Sequence, residues 1–288
     1  MNWLNLLSAK RFGESKSLPL AETRSRFEQD YDRIIFSYPF RKLQDKTQVF
    51  PMPEDDFVHT RLTHSLEVAS VGRSLAKEVG KKVLAQHDEL RRAGVTYQDF
   101  GDIVAAACLA HDVGNPPFGH SGEESISSFF LNTEQGRFFE SKVRPEEWLD
   151  LINFEGNAQG FRLLNNPHQG GLSLTYSTLA AFTKYPLSSA AKKMGLRKSQ
   201  KKYGFYQNDK VQFEILAETL GLERLTSDSW IRHPLTFLVE AADDICYNII
   251  DLEDATRLGL VPFEETKNLL SQIIGAPFSE EKLSRVVD

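Results

Sequence analysis

Four residues set the chemical question: His64, His111, Asp112 and Asp243. His64 shares a helical face with Val68, Val71 and Leu75, at offsets of four, seven and eleven, and His111 shares one with Val104, Ala107 and Cys108. Both imidazoles therefore point inward. Asp243 stands four after Val239, three before Cys246 and seven before Ile250, which is an apolar face for a carboxylate. An isolated buried carboxylate is costly or gives up its charge, so it demands a cation or strong donors. Asp112 adjoins His111, and neighbours on a helix diverge by about 100°, so both reach one point only if that point lies beside the helix between them. A divalent metal ion satisfies all four. Taken singly, each has a blander reading: a hydrogen-bonded core histidine, or an aspartate that caps a helix or pairs with arginine. Their coincidence on three helices favours the metal. Two imidazoles with two carboxylates suit an octahedral ion with open water positions, Mn²⁺ or Mg²⁺ first and Fe²⁺, Co²⁺ or Ni²⁺ after them, ahead of zinc.

These groups require helices to position them, and apolar spacing supplies three. The first is predicted over about Thr63–Val79, with Leu62, Leu66 and Ala69 on one stripe and Val68, Val71 and Leu75 on another. A second, over about Asp102–Val113, is almost wholly apolar and is stopped by Gly114 and Pro116-Pro117, which reads as a buried central helix. A third follows Pro234 and runs towards Gly259. Strand-like runs are few: Leu172–Leu179 is the best candidate and equally reads as a helix start. The expected fold is all-α, a helical bundle with at most a minor β-hairpin, organised as one domain over residues 1–288. Between Ser188 and Tyr203 the chain turns lysine-rich, with Lys192, Lys193, Arg197, Lys198, Lys201 and Lys202, and reads as a loop or lid. The segment from Pro277 onward is amphipathic at best.

Composition bounds the function. With 41% hydrophobic and 26% charged residues in 288, the chain buries a real core and is not disordered. A net charge of −6 is not that of a polyelectrolyte coating nucleic acid or anionic lipid, although a local basic patch is compatible with it. Cys108 and Cys246 have no metal-ribbon spacing and form no disulfide framework, which fits a reducing compartment. Nothing approaches the roughly 18 apolar residues of a membrane span, and Lys10 and Arg11 follow the first short apolar run, the reverse of a signal peptide. A soluble, cytoplasmic protein without membrane partners is expected.

The order His64, His111-Asp112, Asp243 resembles the H…HD…D signature of HD-domain metal phosphohydrolases. More specifically, RSRFEQDYDRIIFSYPFRKLQDKTQVFP, HTRLTHSLEV, AHDVGNPPFGHSGEE, NFEGNAQGFRLL and EAADDICYNIIDLEDA are similar to the bacterial deoxyguanosine triphosphate triphosphohydrolase (dGTPase) family. The similarity runs from about Ser8 to Leu260. A bare HD pair is common by chance; these segments in this order are very specific.

The resemblance implies an HD-type helical domain that hydrolyses a deoxynucleoside triphosphate, dGTP by preference, to deoxynucleoside and tripolyphosphate. It matches His64, His111, Asp112 and Asp243 to metal ligands, His120 to the catalytic histidine and Glu123 to its partner. Beyond the Pro116-Pro117 break, those two sit on one face of a following turn, the carboxylate orienting the imidazole. Arg61, Lys184 and Tyr185 match phosphate-binding positions. Gln48, Tyr247 and Asp251 match positions that bind the deoxyribose, where a tyrosine ring under the sugar excludes a 2′-hydroxyl. Asn153, Glu155 and Asn157 read either as a surrounding shell or as a turn. The lysine-rich run reads as a solvated face, a phosphate funnel or a contact for a single-stranded DNA effector. Family members assemble as homo-oligomers, commonly hexamers, and continue well past the equivalent of Leu260; stopping at Asp288 marks either a fragment or a short form. Two other readings stand beside the triphosphohydrolase: another HD hydrolase, such as a nucleotidase or phosphodiesterase, and a non-catalytic nucleotide or single-stranded DNA binding module.

Overall fold

A computed structural model describes residues 1–14, 24–48, 59–165, 171–191 and 201–274. It is built from helices: α1 (Arg26–Ile35), α2 (Arg61–Gln86), α3 (Tyr97–Ala110), α4 (Gly119–Asn132), α5 (Pro145–Ile152), α6 (Gly156–Asn165), α7 (Tyr176–Phe182), α8 (Lys210–Leu220), α9 (Thr236–Arg257) and α10 (Phe263–Ile274). The all-α expectation holds. A minor hairpin is present too, but it pairs β1 (Arg224–Thr226) antiparallel with β2 (Ser229–Trp230), not the segment around Leu172. Of the two readings of Leu172–Leu179 the helix start is the one realised, in α7, and its alternation marks no strand because Leu174–Phe182 is buried on every side. Thr175 caps α7, accepting from the Thr178 amide at 3.3 Å, and its own amide donates to the buried Asp30 at 3.0 Å.

Helix α3 is the axis of the fold. From Ile103 to Ala110 it is fully buried, with α1, α2, α7 and α9 packed around it. It starts five residues before the sequence expectation, at a cap where Asp99 Oδ2 accepts from the Thr96 amide at 2.7 Å. It also ends sooner, at Ala110, so His111 and Asp112 ride on the turn that leaves it. Helix α2 overruns its expected span at both ends; at its start Thr60 and Thr63 close a reciprocal cap, with bonds of 3.0 and 3.3 Å. Its long mixed stripe splits unevenly: Leu66, expected inside, is exposed, while His64, Val68, Gly72, Ala76 and Gly80 face α3. Gly72 permits that contact, since a Cβ there would lie 2.5 Å from Cys108 Sγ. Close crossing of α2 and α3 brings His64 and His111 together.

Helix α9 follows Pro234 as expected, and Gly259, with φ +70°, lies just beyond it. Both cysteines are buried thiols. Among the described residues no helix is long and apolar enough to cross a membrane. Lys192, Lys193, Arg197 and Lys198, and the segment from Pro277, lie outside the described residues.

Candidate functional site

Three helices and one turn converge on a cleft of about 640 Å³. From α2 comes His64, fully buried, whose Nε2 lies 3.1 Å from Asp243 Oδ1 on α9. From the turn after α3 comes His111, whose Nε2 lies 3.5 Å from the same oxygen. One donor atom from each of His64, His111 and Asp243 falls within 4.8 Å of the others. Burial alone would raise the Asp243 carboxyl, but the charge of His111, the hydrogen bond to His64 and the charge of His64 hold it well below the usual carboxylate range.

Asp112 stands at the edge of this group. Its Oδ1 accepts from Arg61 Nη1 at 2.7 Å and from Asn115 Nδ2 at 2.6 Å. Its Oδ2, 3.8 Å from His111 Nε2, is buried without a partner. His111 Nδ1 donates to the Cys108 carbonyl at 2.7 Å, which turns its Nε2 towards the cluster. An imidazole nitrogen, a buried orphan carboxylate oxygen and a carboxylate held ionised are the donor set a hard divalent cation takes. The residues fit such an ion.

The turn reaches this position through Gly114. At φ +103° it adopts a conformation that side chains disfavour, and a Cβ there would meet Gly160 N at 2.2 Å and Gly156 O at 2.4 Å. Backbone lies directly on backbone where α6 abuts the turn. Gly156 and Gly160 serve the same approach from the other side. Their signal in the sequence is the pair spaced by four in GNAQG.

Past the two prolines, Phe118 takes a left-handed conformation and α4 begins. His120, with its side chain 79% exposed, places Nδ1 3.0 Å from Glu123 Oε2. Glu123 is itself held: its Oε1 accepts from the Gly156 amide at 2.8 Å, and Lys202 Nζ stands 3.5 Å from Oε2. Lys202 is also 3.3 Å from Glu155, whose carboxyl is raised by burial against the lowering charge of Lys202.

The remaining candidates distribute around the cleft. Gln48, Arg61, Lys184, Tyr185 and Tyr247 line it. Asp251 lies a turn beyond Tyr247 and bonds to it, and its carboxyl is raised mainly by burial. Gln48 Oε1 and Asp251 Oδ1 are both buried acceptors without a donor. Of the NFEGN residues, Asn157 lines the cleft, Glu155 sits behind it, and Asn153 instead returns to the Leu149 carbonyl at the end of α5. Glu240 and Asn115 were not anticipated. Glu240 sits three before Asp243, a spacing that puts both on one side of α9; Asn115 stands three after Asp112.

The electrostatics are uneven. Arg61, Lys184 and Lys202 face Asp112, Glu123, Glu240, Asp243 and Asp244 across the cleft. Each cation already has a carboxylate partner; Lys184 Nζ is 3.3 Å from Glu240. A polyanion meets a wall of net negative charge unless a divalent cation enters with it.

An HD domain model matches residues 61–154, which carry every member of this constellation from Arg61 to Glu123 but not Asp243. A deoxyguanosinetriphosphate triphosphohydrolase-like protein of Synechocystis is 47% identical over 95% of this chain, and one of Pseudomonas aeruginosa is 46% identical over 96%. Residues 61–154 thus match the HD domain, and nearly the whole chain is similar to deoxyguanosinetriphosphate triphosphohydrolase-like proteins. A deoxyguanosinetriphosphate triphosphohydrolase of Yersinia pseudotuberculosis is 36% identical over 91% of the chain. The chain spans 64% of the length of the Synechocystis relative, 62% of the Pseudomonas one and 56% of the Yersinia one.

Proposed function

We propose that this cleft hydrolyses a deoxynucleoside triphosphate, dGTP foremost, to deoxynucleoside and tripolyphosphate, with a divalent cation held by His64, His111, Asp112 and Asp243. The observation that carries the reading is a chain of unmatched buried acceptors, Asp112 Oδ2 beside the histidines and Gln48 Oε1 and Asp251 Oδ1 away from them. The first suits a cation and the other two a donor hydroxyl, such as the 3′-hydroxyl of a deoxyribose. Preference for guanine follows only from the names of the relatives.

Mn²⁺ or Mg²⁺ at the His/Asp group supplies charge neutralisation and Lewis acidity towards a phosphoryl oxygen. The protein's own groups do the rest. Arg61, Lys184 and Tyr185 bind the triphosphate, Arg61 by its planar fork. Water bonds to the α-phosphorus while the bond from that phosphorus to the 5′-oxygen breaks. The departing oxygen takes a proton from His120, whose Nδ1 is occupied by Glu123 and whose Nε2 faces the cleft's solvent. Tyr247, bonded to Asp251, fills the space beneath the sugar and closes it to a 2′-hydroxyl.

Product analysis across deoxynucleoside and ribonucleoside triphosphates, with Mn²⁺ or Mg²⁺, tests the proposal. Tripolyphosphate from dGTP is the expected product; monophosphate with pyrophosphate, or free phosphate, overturns it.

A further inference from the structure

The short segment bearing Gln48 is tied to the segment that opens α2. Thr47 and Thr60 form an antiparallel bridge, the Arg61 amide donates to the Lys46 carbonyl at 2.8 Å, and the Gln48 amide donates to the His59 carbonyl at 3.4 Å. Gln48 and Arg61 thus share one two-stranded strap lining the cleft. The strap is anchored by the side chain of His59. That imidazole is buried, with Nδ1 2.9 Å from Asp254 Oδ1 on α9 and Nε2 3.3 Å from Glu67 Oε1 on α2. Asp254 is buried as well, and it lies three residues after Asp251 and seven after Tyr247 on the same helix. One ring therefore spans the strap that presents Gln48 and the helix that presents Tyr247 and Asp251.

We infer that His59 is a positioning residue for sugar selectivity: it sets the gap between Gln48 and the Tyr247–Asp251 stripe, and so the fit to a 2′-deoxyribose. Its bonds to Asp254 on α9 and Glu67 on α2 tie the Gln48 segment to the helix that carries Tyr247 and Asp251, so its influence falls on substrate fit rather than on bond breaking. The inference rests on the triphosphohydrolase reading above.

The two ring nitrogens separate by substitution. His59→Asn retains an amide nitrogen near the Nδ1 position and keeps the Asp254 bond, whereas His59→Gln reaches the Nε2 position and loses it. Steady-state kinetics on dGTP and GTP, with circular dichroism and the Mn²⁺-induced melting shift as controls, read the outcome. In His59→Gln, KM for dGTP should rise about tenfold and the dGTP-over-GTP preference fall about tenfold, with kcat within about twofold and the Mn²⁺ shift unchanged. His59→Asn should restore both. Equal preference in the wild type and His59→Gln overturns the inference while leaving the reaction in place. So does a fall in kcat alone, or failure of both variants to fold. A wild-type protein that hydrolyses no dNTP overturns the underlying reading and this inference with it, so the two failures are told apart by the wild-type assay.

Discussion

Replacing Gly114 with alanine should damage both stability and turnover, because this residue lets the turn carrying His111 and Asp112 rest on α6. Two costs add. At φ +103° a Cβ strains the backbone, which for an L residue costs roughly 1–2 kcal/mol. The new Cβ also meets backbone atoms of Gly156 and Gly160 at 2.2–2.6 Å, where no side chain can rotate away. Turn and helix must separate by about 1 Å, and such overpacking costs roughly 1–3 kcal/mol. A loss of about 2–5 kcal/mol is expected, lowering the melting midpoint by roughly 5–15 °C for a chain of this size. Separation also draws the Gly156 amide from Glu123 Oε1, now 2.8 Å away, and so disturbs His120. A displacement of about 1 Å can cost on the order of 100-fold in rate. Gly94→Ala is the control: its φ is +80° but nothing lies within 4 Å of the added Cβ, so it isolates the backbone strain. Thermal melts and dNTP turnover of both variants decide. If Gly114→Ala melts no lower than Gly94→Ala and turns over at the wild-type rate, the packing argument is wrong.

Three further outcomes are expected. His120→Ala should lose roughly 100- to 10,000-fold in kcat while nucleotide binding, followed by calorimetry, persists; parallel loss of binding would place His120 in recognition instead. Mn²⁺ at 100-fold over its dissociation constant should stabilise the wild type by about 2.7 kcal/mol, roughly 5–10 °C, and not His111→Ala; an unchanged wild-type midpoint would remove the metal. His233 is buried, and desolvation lowers its imidazole to about 4 despite its bond to the Leu6 carbonyl. The unfolded chain therefore takes the proton first, near pH 6.5, so stability is complete above that value and about 3 kcal/mol is lost as pH falls towards 4. Asp102 and Asp150, pushed up to about 6 mainly by burial, act with the opposite sign, gaining stability as pH falls through the same range. The readout is thus the difference between wild type and His233→Gln in denaturant melts from pH 7 to 4.5. A difference that does not change with pH would mean that His233 is free to ionise in the folded protein.

What was legible in the sequence was whatever a helix encodes locally. Apolar period placed α2, α3 and α9, and the two-proline break placed His120 three before Glu123 on a new helix. Helix ends were less legible, since caps at Thr60 and Thr96 depend on side chains that read equally well as loop residues. Leu172–Leu179 shows the stronger limit. Alternation reports a strand only when one face meets water, and here both are covered by α3 and by the N-terminal segment. The hairpin around Thr226 and Ser229 is too short to leave a periodic trace.

The same division separates the halves of the site. Metal-group residues carry their signal in type and face, because a histidine or aspartate on a dry stripe contradicts its own helix and so announces a partner. Their supports carry none of this. Gly114, Gly156 and Gly160 matter through an absent atom, and Glu240 and Lys202 matter through pairings that exist only once α9 and the segment at Tyr203 fold back on the cleft. Those pairings have a functional consequence. Each of Arg61, Lys184 and Lys202 sits beside a carboxylate, so a triphosphate bound as proposed would compete with Asp112, Glu240 and Glu123 for these cations. Such competition would weaken binding of the polyanion alone and favour its entry with a divalent cation, which offsets the charge of the carboxylates it displaces. Under the proposed function, selectivity for a metal-bound triphosphate would then arise from the walls of the cleft as well as from the His64, His111 and Asp243 cluster.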